Sequence, residues 1–481
     1  MAERGRSGGS ARGKDSTSSI LEPGRNCWRV ARAERVAFLI DASRYFEVLD
    51  RSLPLARRRI TIIGWDFDSA TRLRPGGPAL GDRLVELVDN NPNLEIQVLV
   101  WRSSLVYSHN RDIPLPLPGK WWEHPRIHYQ LDAAHPLGGS HHQKLICIDD
   151  RLAFAGGIDL TDERWDECGH KAQSARRCSP KGGSYGPVHD VQMMVDGPAA
   201  AALAELTRAR WSRGSGEELA PVEDGAPLWP QGVAADLRSH DIAIARTRPD
   251  YDGQGEVREI ERLNLDALAA ARRNVYIEAQ YFALPAVAEI LCDHLRRDDG
   301  PEIAAVVNYN SHGRLEQYVM GQNRDRLFAH LRGSDEHGRL ALLYSRAASD
   351  PECNVKIHSK VVIVDDRFLR IGSSNFNQRS LGVDSECDLA IEAVTPQAQA
   401  AVRRFRRDLL ADHLRVSPAR VAQVWRANGG SLLRTLKRLR GEGCLCAYEV
   451  DPTDAAPPVP LTDVLDPAEP FSLERVLGLK G

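Results

Sequence analysis

What this chain lacks narrows it first. No apolar run approaches the roughly 18–20 residues that a membrane-spanning helix needs. The first residues, MAERGRSGGSARGKDSTSS, have no apolar core of the signal-peptide kind and read as a disordered leader. There is no basic excess. Lys and Arg number 63 against 66 Asp and Glu, a net charge of −3, which argues against a general nucleic-acid binder. Nine scattered cysteines, an odd count, argue against a disulfide framework and for reduced thiols in a cytosolic compartment.

What is present is ordinary for a globular protein: 481 residues, 42% hydrophobic and 27% charged, enough for about two to four domains. The charge is unevenly spread. Residues 401–440 carry net +9 and residues 441–481 net −6. A solvated helix face, partly neutralised by the acidic tail, is the plain reading of the basic stretch.

The informative feature is a repeat. HQKLICIDDRLAFAGGID runs from His142 to Asp159, and HSKVVIVDDRFLRIGSSN from His358 to Asn375. An offset of 216 relates His142 to His358, Lys144 to Lys360, Asp149 to Asp365 and Gly156 to Gly372. Further on, DVQMMVDG (190–197) matches ECDLAIEA (386–393) at an offset of 196, so the first copy carries 20 extra residues between the two landmarks. Two such constellations imply an internal duplication with one active site shared between the halves.

Hydrophobic spacing predicts alternating strands and helices. VAFLIDASRYFEVLDRSLPLA reads as a helix, RRRITIIGWDF and EIQVLVW as strands, and the second half repeats the plan with NVYIEAQYF and EIAAVVNYN. Alternation of this kind implies an α/β fold: two similar α/β/α sandwich lobes with mostly parallel sheets, related by a pseudo-twofold. Within each motif strand, His and Lys fall on one face. The predicted organisation is a disordered leader (1–26), a first lobe (27–213), a linker (214–245), a second lobe (246–415), a basic helical segment (416–440) and an acidic Pro-rich tail (441–481). Ser417 should cap the first helix of the basic segment, with Pro418 at its first position.

Two imidazoles, two ammonium groups and supporting carboxylates suit phosphodiester cleavage. A neutral imidazole attacks phosphorus, and a second protonates the leaving alkoxide. Two lysines supply the positive charge the transition state requires, so neither metal nor cofactor is needed. Cys168, His170, Cys178 and His189 follow no regular zinc-ligand spacing, and no metal site is assigned.

At this point the residues resemble the phospholipase D superfamily. Its signature is His-x-Lys-x4-Asp followed by a Gly/Ser-Asn element, and this chain holds it twice, from HQKLICID to GGIDL and from HSKVVIVD to GSSNFNQRS. IGWDFD, GGIDLTDERWD, IEAQYF and DSECDLAI resemble the lipase branch, and the likeness covers roughly residues 28–412. The resemblance implies a catalytic set of His142, Lys144, Asp149, His358, Lys360, Asp365, Asn375, Asp190 and Glu386. His142 is the expected nucleophile and His358 the general acid, later the base. Lys144, Lys360 and Asn375 are expected on the phosphate. Asp190 and Glu386 are each expected behind a histidine, and Asp149 and Asp365 are expected to brace the motif. Ser373, Asp159 and Gln280 are the expected substrate contacts. Asp159 stands where the second copy has Asn375, and a carboxylate cannot donate to phosphate as an amide can. Ala279 replaces the family's usual Asn between Glu278 and Gln280. His141, beside the motif, reads as structural, and Trp121-Trp122 as either a lipid entry or packing.

The implied activity is hydrolysis of a glycerophospholipid to phosphatidic acid and a free alcohol through a phosphohistidine, with transfer to a second alcohol as a variant. The implied partner is phospholipid at a membrane surface, with no nucleic acid. The implied protein is a cytoplasmic monomer with peripheral membrane attachment. The rivals are a cardiolipin-synthase-like phosphatidyltransferase, a nuclease of the same superfamily, and an inactive lipid-binding module. The last would require an eroded motif, and neither copy is eroded.

Overall fold

The computed structural model describes residues 19–102, 121–223, 225–310, 317–348, 350–441, 443–450, 459 and 462–470. The first half supplies β1 (Arg29–Ile40), β2 (Arg59–Gly64), β3 (Glu95–Trp101), β4 (Ile127–Asp132), β5 (Leu145–Ile148), β6 (Leu152–Gly156), β7 (Val188–His189) and β8 (Val191–Asp196). The second supplies β9 (Leu237–Arg248), β10 (Val257–Arg258), β11 (Asn274–Ala279), β12 (Glu302–Val307), β13 (Leu340–Ala347), β14 (Asp350–Asn354), β15 (Lys356–Ile357), β16 (Lys360–Val364), β17 (Phe368–Gly372) and β18 (Glu386–Glu392), and β19 (Leu445–Ala447) follows.

Most of these strands form one continuous sheet. Across the first lobe its order is β4-β3-β2-β5-β6-β8-β1, and across the second β9-β18-β17-β16-β11-β12-β13, with β1 and β9 paired antiparallel at the seam. The second list repeats the first in reverse, as a twofold axis between β1 and β9 requires. The fold is α/β. The expectation of mostly parallel sheets holds for the outer strands, β2-β3-β4 and β11-β12-β13, and not for the inner ones, which run antiparallel. The cause lies in the connections. Helices link β2 to β3, β11 to β12 and β12 to β13, whereas the motif strands β5 and β16 turn back at once through tight hairpins.

The strands are apolar on both faces because helices cover both. LICI and VVIV are buried throughout. The helix Gly197–Ser215 and its counterpart Pro396–Leu414 contribute to one core that crosses the seam, joining Val36, Met193 and Leu206 to Ile244, Leu389 and Phe405. Each lobe has a further core on its other face.

Each motif aspartate lies at the hairpin end of its strand, away from the histidine. Asp149 accepts the backbone N–H groups of Arg57, Arg58 and Arg59 at 2.7–2.8 Å, and Asp365 those of Arg272, Arg273 and Asn274 at 2.7–2.8 Å. In both hairpins the two central aspartates have positive φ, 48° and 57° in the first and 55° and 58° in the second. Asp tolerates that left-handed conformation better than most residues. The carboxylates therefore fix where β2 and β11 begin. They belong with the fold and not with the catalytic set.

Several boundaries differ from the sequence reading. Val36–Ile40, read as helix, completes β1, and the helix begins at Ala42. Residues assigned to the leader dock on the second lobe, where Glu392 accepts from Ser19 Oγ (2.6 Å) and the Ile20 N–H (3.1 Å). The predicted linker holds the last residues of the helix Gly197–Ser215 and the start of β9, a seam strand. The acidic tail contributes β19, which pairs with β13, and the buried Asp466, which accepts the N–H groups of Gln378 and Arg379. Ser417 caps the helix Pro418–Ala427 as expected. Trp121 packs on Phe67 and Tyr129 in the core, and Trp122 stacks on Tyr129, so both serve packing. No described helix is long and apolar enough to cross a membrane.

Asp149→Ala or Asp365→Ala should each cost about 2–4 kcal/mol, since three N–H groups lose a charged acceptor. Urea denaturation reads this as a lowered midpoint. An unchanged midpoint would refute the bracing role.

Candidate active site

The two lobes meet at the motif histidines through a reciprocal pair of backbone contacts. The His142 N–H donates to the Ser385 carbonyl and the His358 N–H to the His189 carbonyl, both at 2.8 Å. Around them His141 bridges to Ser385, and β15 pairs in parallel with β7. These contacts are pseudo-twofold mates, since His358 stands 216 residues from His142 and His189 stands 196 from Ser385, the two offsets of the repeat. Each lobe thus presents its histidine strand to the strand end of the other lobe that bears a carboxylate.

The side chains cross in the same way. His142 Nδ1 lies 3.0 Å from both oxygens of Glu386, and His358 Nδ1 lies 2.6 Å from Asp190 Oδ2. A carboxylate at Nδ1 holds the proton there and leaves Nε2 with its lone pair. Burial, and then the nearby lysines, hold both imidazoles well below their usual value; each ring feels both Lys144 and Lys360. Both are therefore neutral near pH 7 when no anion is bound. His142 is the more accessible, with its side chain 16% exposed against 7% for His358.

The lysines are buried and unequally paired. Lys144 donates to the His142 carbonyl (2.7 Å) and faces Asp159 at 3.2 Å. Lys360 donates to Gln280 Oε1 (3.0 Å) and to the His358 carbonyl. Burial lowers Lys360 to about 7, against the opposing pull of Asp190. Glu386 is pushed up to about 7, again chiefly by burial.

Three expected substrate contacts are placed otherwise. Asp159 accepts from the Trp65 N–H (2.9 Å) besides pairing with Lys144, so it positions that lysine. Gln280 is held by Lys360. Ser373, fully buried, donates its hydroxyl to Glu386 and receives the Cys387 N–H at 3.0 Å, so it supports the carboxylate behind His142. Asn375 is buried with its side-chain Oδ1 unpartnered. His141 bonds Ser385 Oγ (2.9 Å) and faces Asp132, away from the motif lysine, in keeping with a structural role.

Two residues escaped the sequence reading. Gly157 is the counterpart of Ser373. A Cβ there would stand 2.2 Å from Asp190 Oδ1, so the shorter carboxylate occupies space that the second lobe gives to a hydroxyl. The paired differences, Gly with Asp and Ser with Glu, were visible once the repeat was aligned. Arg164, within the RWD segment, adds positive charge near His358, Lys360 and Asp190. It lies in the stretch where the two copies lose their register, so no counterpart marked it.

Comparison with known proteins agrees with this geometry. Residues 306–438 match the Phospholipase D family. Phospholipase D alpha 3 of Arabidopsis thaliana is 23% identical, over 75% of this chain and 62% of that protein. Phospholipase D A of Dictyostelium discoideum is 23% identical, over 53% of this chain and 24% of that protein. The chain is thus similar to the phospholipase D superfamily, most directly around its second motif. It spans 62% of the length of the Arabidopsis relative. Phosphatidylserine synthase of Haemophilus influenzae shares the fold, with a TM-score of 0.53 at 14% identity over 87% of this chain and 96% of that one. The family match takes in the second motif copy and not the first. The first is the copy that carries the insertion, with Asp159 where the second has Asn375.

Gly157→Ala should displace the Asp190 carboxylate and free His358 Nδ1. In ¹H–¹⁵N spectra the low-field Nδ1 proton of His358 would then disappear while that of His142 persists. Both signals remaining would refute the steric argument.

Proposed function

We propose that the protein is a phospholipase D-type phosphodiesterase. The observation that carries this reading is the pair of imidazoles, each held at Nδ1 by a carboxylate from the opposite lobe, between two buried lysines. The substrate class is a glycerophospholipid, supported by the relatives named phospholipase D and by a charge balance unlike that of a nucleic-acid enzyme.

His142 Nε2 attacks phosphorus, and the P–O bond to the head-group alcohol breaks as the phosphohistidine forms. Glu386 stabilises the cationic ring. The leaving alkoxide takes its proton from His358 Nε2. Entry of the anionic phosphodiester offsets the lysine charges that keep His358 neutral, so that ring takes up a proton as substrate binds. In the second step His358 removes a proton from water, whose oxygen displaces His142 and yields phosphatidic acid. A primary alcohol in place of water gives a phosphatidylalcohol. Lys144, Lys360 and Asn375 hold the phosphoryl oxygens. Each lysine has a carboxylate bearing on it, Asp159 on Lys144 and Asp190 on Lys360.

Incubation of the purified protein with mixed phospholipid vesicles and a primary alcohol should yield both phosphatidic acid and phosphatidylalcohol. Neither product, together with cleavage of DNA, would sink the lipase assignment. His142→Ala should abolish the covalent phosphoenzyme, whereas His358→Ala should slow its formation most with poor leaving groups. An adduct trapped on His358 would reverse the two roles.

The pH dependence has a definite sign. Attack needs ionised Glu386, so phosphoenzyme formation should rise with pH through about 7. Loss of the Lys360 proton, also at about 7, opposes that rise, so the profile should be a narrow bell centred near 7. The Ser373 hydroxyl lowers the Glu386 value, so Ser373→Ala should move the acid limb to higher pH. Single-turnover rates against pH test this; an acid limb that stays put removes Glu386 as its cause.

A further inference from the structure

Behind the active site, and taking no part in the chemistry above, lies a second cluster of histidines and carboxylates. Asp41, His170, His189 and Asp412 are all buried and come from four distant parts of the chain. Asp41 follows β1, His170 lies in the insertion of the first copy, His189 ends β7, and Asp412 sits in the helix Pro396–Leu414 of the second lobe. Their inward-facing atoms converge. His170 Nε2 is 2.8 Å from Asp412 Oδ2 and 3.5 Å from Asp41 Oδ2, and His189 Nδ1 is 2.9 Å from Asp41 Oδ1 and 3.3 Å from Asp412 Oδ2.

One ligand atom from each residue lies within 4.8 Å of those of the other three, with Asp41 turning Oδ2 to His170 and Oδ1 to His189. Four nitrogen and oxygen ligands at about 2.0–2.1 Å from a tetrahedral ion stand about 3.3 Å from one another. The outer atoms are arranged to suit as well. The far nitrogen of each ring is held by another carboxylate, His170 Nδ1 by Asp166 (2.7 Å) and His189 Nε2 by Glu278 (3.0 Å). Those carboxylates are themselves held, Asp166 by the Arg177 guanidinium (2.7 Å) and Glu278 by the Tyr276 hydroxyl (2.7 Å) and His413 (2.9 Å). A ligating imidazole ordinarily has such a carboxylate behind it, which aims the ring and raises its basicity. Independently, Asp41 Oδ2 is buried, aimed into the cluster, and without a hydrogen-bond donor.

We propose that Asp41, His170, His189 and Asp412 form a tetrahedral site for a divalent transition-metal ion, zinc by preference. A two-imidazole, two-carboxylate set suits zinc better than magnesium or calcium, which prefer all-oxygen shells. Binding replaces one N–H proton on each ring with the ion, so two protons leave as two positive charges enter and the cluster keeps its net charge. The ion would join the lobes. The His189 carbonyl receives the His358 N–H at 2.8 Å, and the Asp41 N–H donates to the Asp190 carbonyl at 2.8 Å, so two of the four ligands hold the backbone that places His358 and its carboxylate. The role is structural and leaves the metal-free phosphoryl chemistry unchanged. The linear spacing of His170 and His189 with Cys168 and Cys178 follows no zinc pattern because two of the four ligands, Asp41 and Asp412, come from far along the chain. Cys178 is exposed and lies outside this set, and Cys168 reaches Asp412 from the rim of the cluster.

The test uses the full chain purified without chelators. Elemental analysis should find about one zinc per chain, or the stripped protein should take up about one equivalent of zinc in calorimetry with release of protons. Cobalt in its place should give the intense visible bands of a tetrahedral site. X-ray absorption at the zinc edge should show a nitrogen/oxygen shell near 2.0 Å with imidazole scattering. His170→Gln and Asp412→Asn should each lose the bound ion. Should either variant fail to fold, the absorption spectrum of the unmodified protein decides alone. Sulfur ligands, retention of the ion by folded variants, or a stripped protein that binds neither zinc nor cobalt would overturn the site and leave the four groups as a proton-bridged ion network.

Discussion

Everything at the catalytic seam depends on one exchange: each lobe lends its histidine a carboxylate from the other. Glu386 holds His142 and Asp190 holds His358. Neither lobe alone contains a histidine in the required tautomer. The backbone bonds from His142 to Ser385 and from His358 to His189 set the strand ends so that these contacts form together. The seam between β1 and β9, with the core that runs across it, holds the exchange in register. A buried imidazole–carboxylate pair is costly to create, and it tolerates little displacement once made. The rigid continuous sheet is the answer to that constraint.

The duplication has diverged by compensated pairs. Where the second lobe sets Glu386 against the Ser373 hydroxyl, the first sets the shorter Asp190 against the bare backbone of Gly157. Where the second lobe leaves Lys360 to a neutral amide, the first gives Lys144 the charge of Asp159. The first lobe's lysine is thus paired directly with a carboxylate, whereas the second's rests on a neutral amide and is lowered to about 7 by burial. A symmetric pair of histidines could attack or donate equally well. This difference in charge gives the two sides distinct environments before substrate arrives.

Much of this could be read from the residues. The doubled motif, the offsets of 216 and 196, and the pairing of Asp190 with Glu386 all follow from lining up two stretches of one chain. Local hydrophobic runs also indicated β2, β3, β11 and β12. What could not be read was contact made at long range. Whether a carboxylate serves its own lobe's histidine or the other's is invisible to any local pattern. Ser373 was expected on phosphate because its hydroxyl can donate there, yet burial beside Glu386 turns it inward. Val36–Ile40 looked helical because its apolar residues adjoin a genuine helix. Pairing with β8 and β9 overrode that local preference. Composition marked the tail only as acidic and Pro-rich, but one buried carboxylate, Asp466, ties it to the first turn of the helix Gln378–Gly382.

The same long-range logic explains why the cluster behind the site is assembled as it is. A sheet can fix strand register, yet it does little to fix the depth at which a loop from one lobe meets a helix of the other. The insertion carrying His170 and the helix carrying Asp412 have no strand pairing between them; their described link is charged and polar, from His170 and Gly169 to Asp412. His189 is the point where this link reaches the active site, because its ring belongs to the cluster and its carbonyl to His358. Its neighbour Asp190 points the other way along the strand, as alternation requires, and backs that same histidine. One dipeptide, His189-Asp190, therefore faces the lobe junction with one side chain and the reaction with the next, so the depth at which the insertion docks sets where the carboxylate behind His358 can stand.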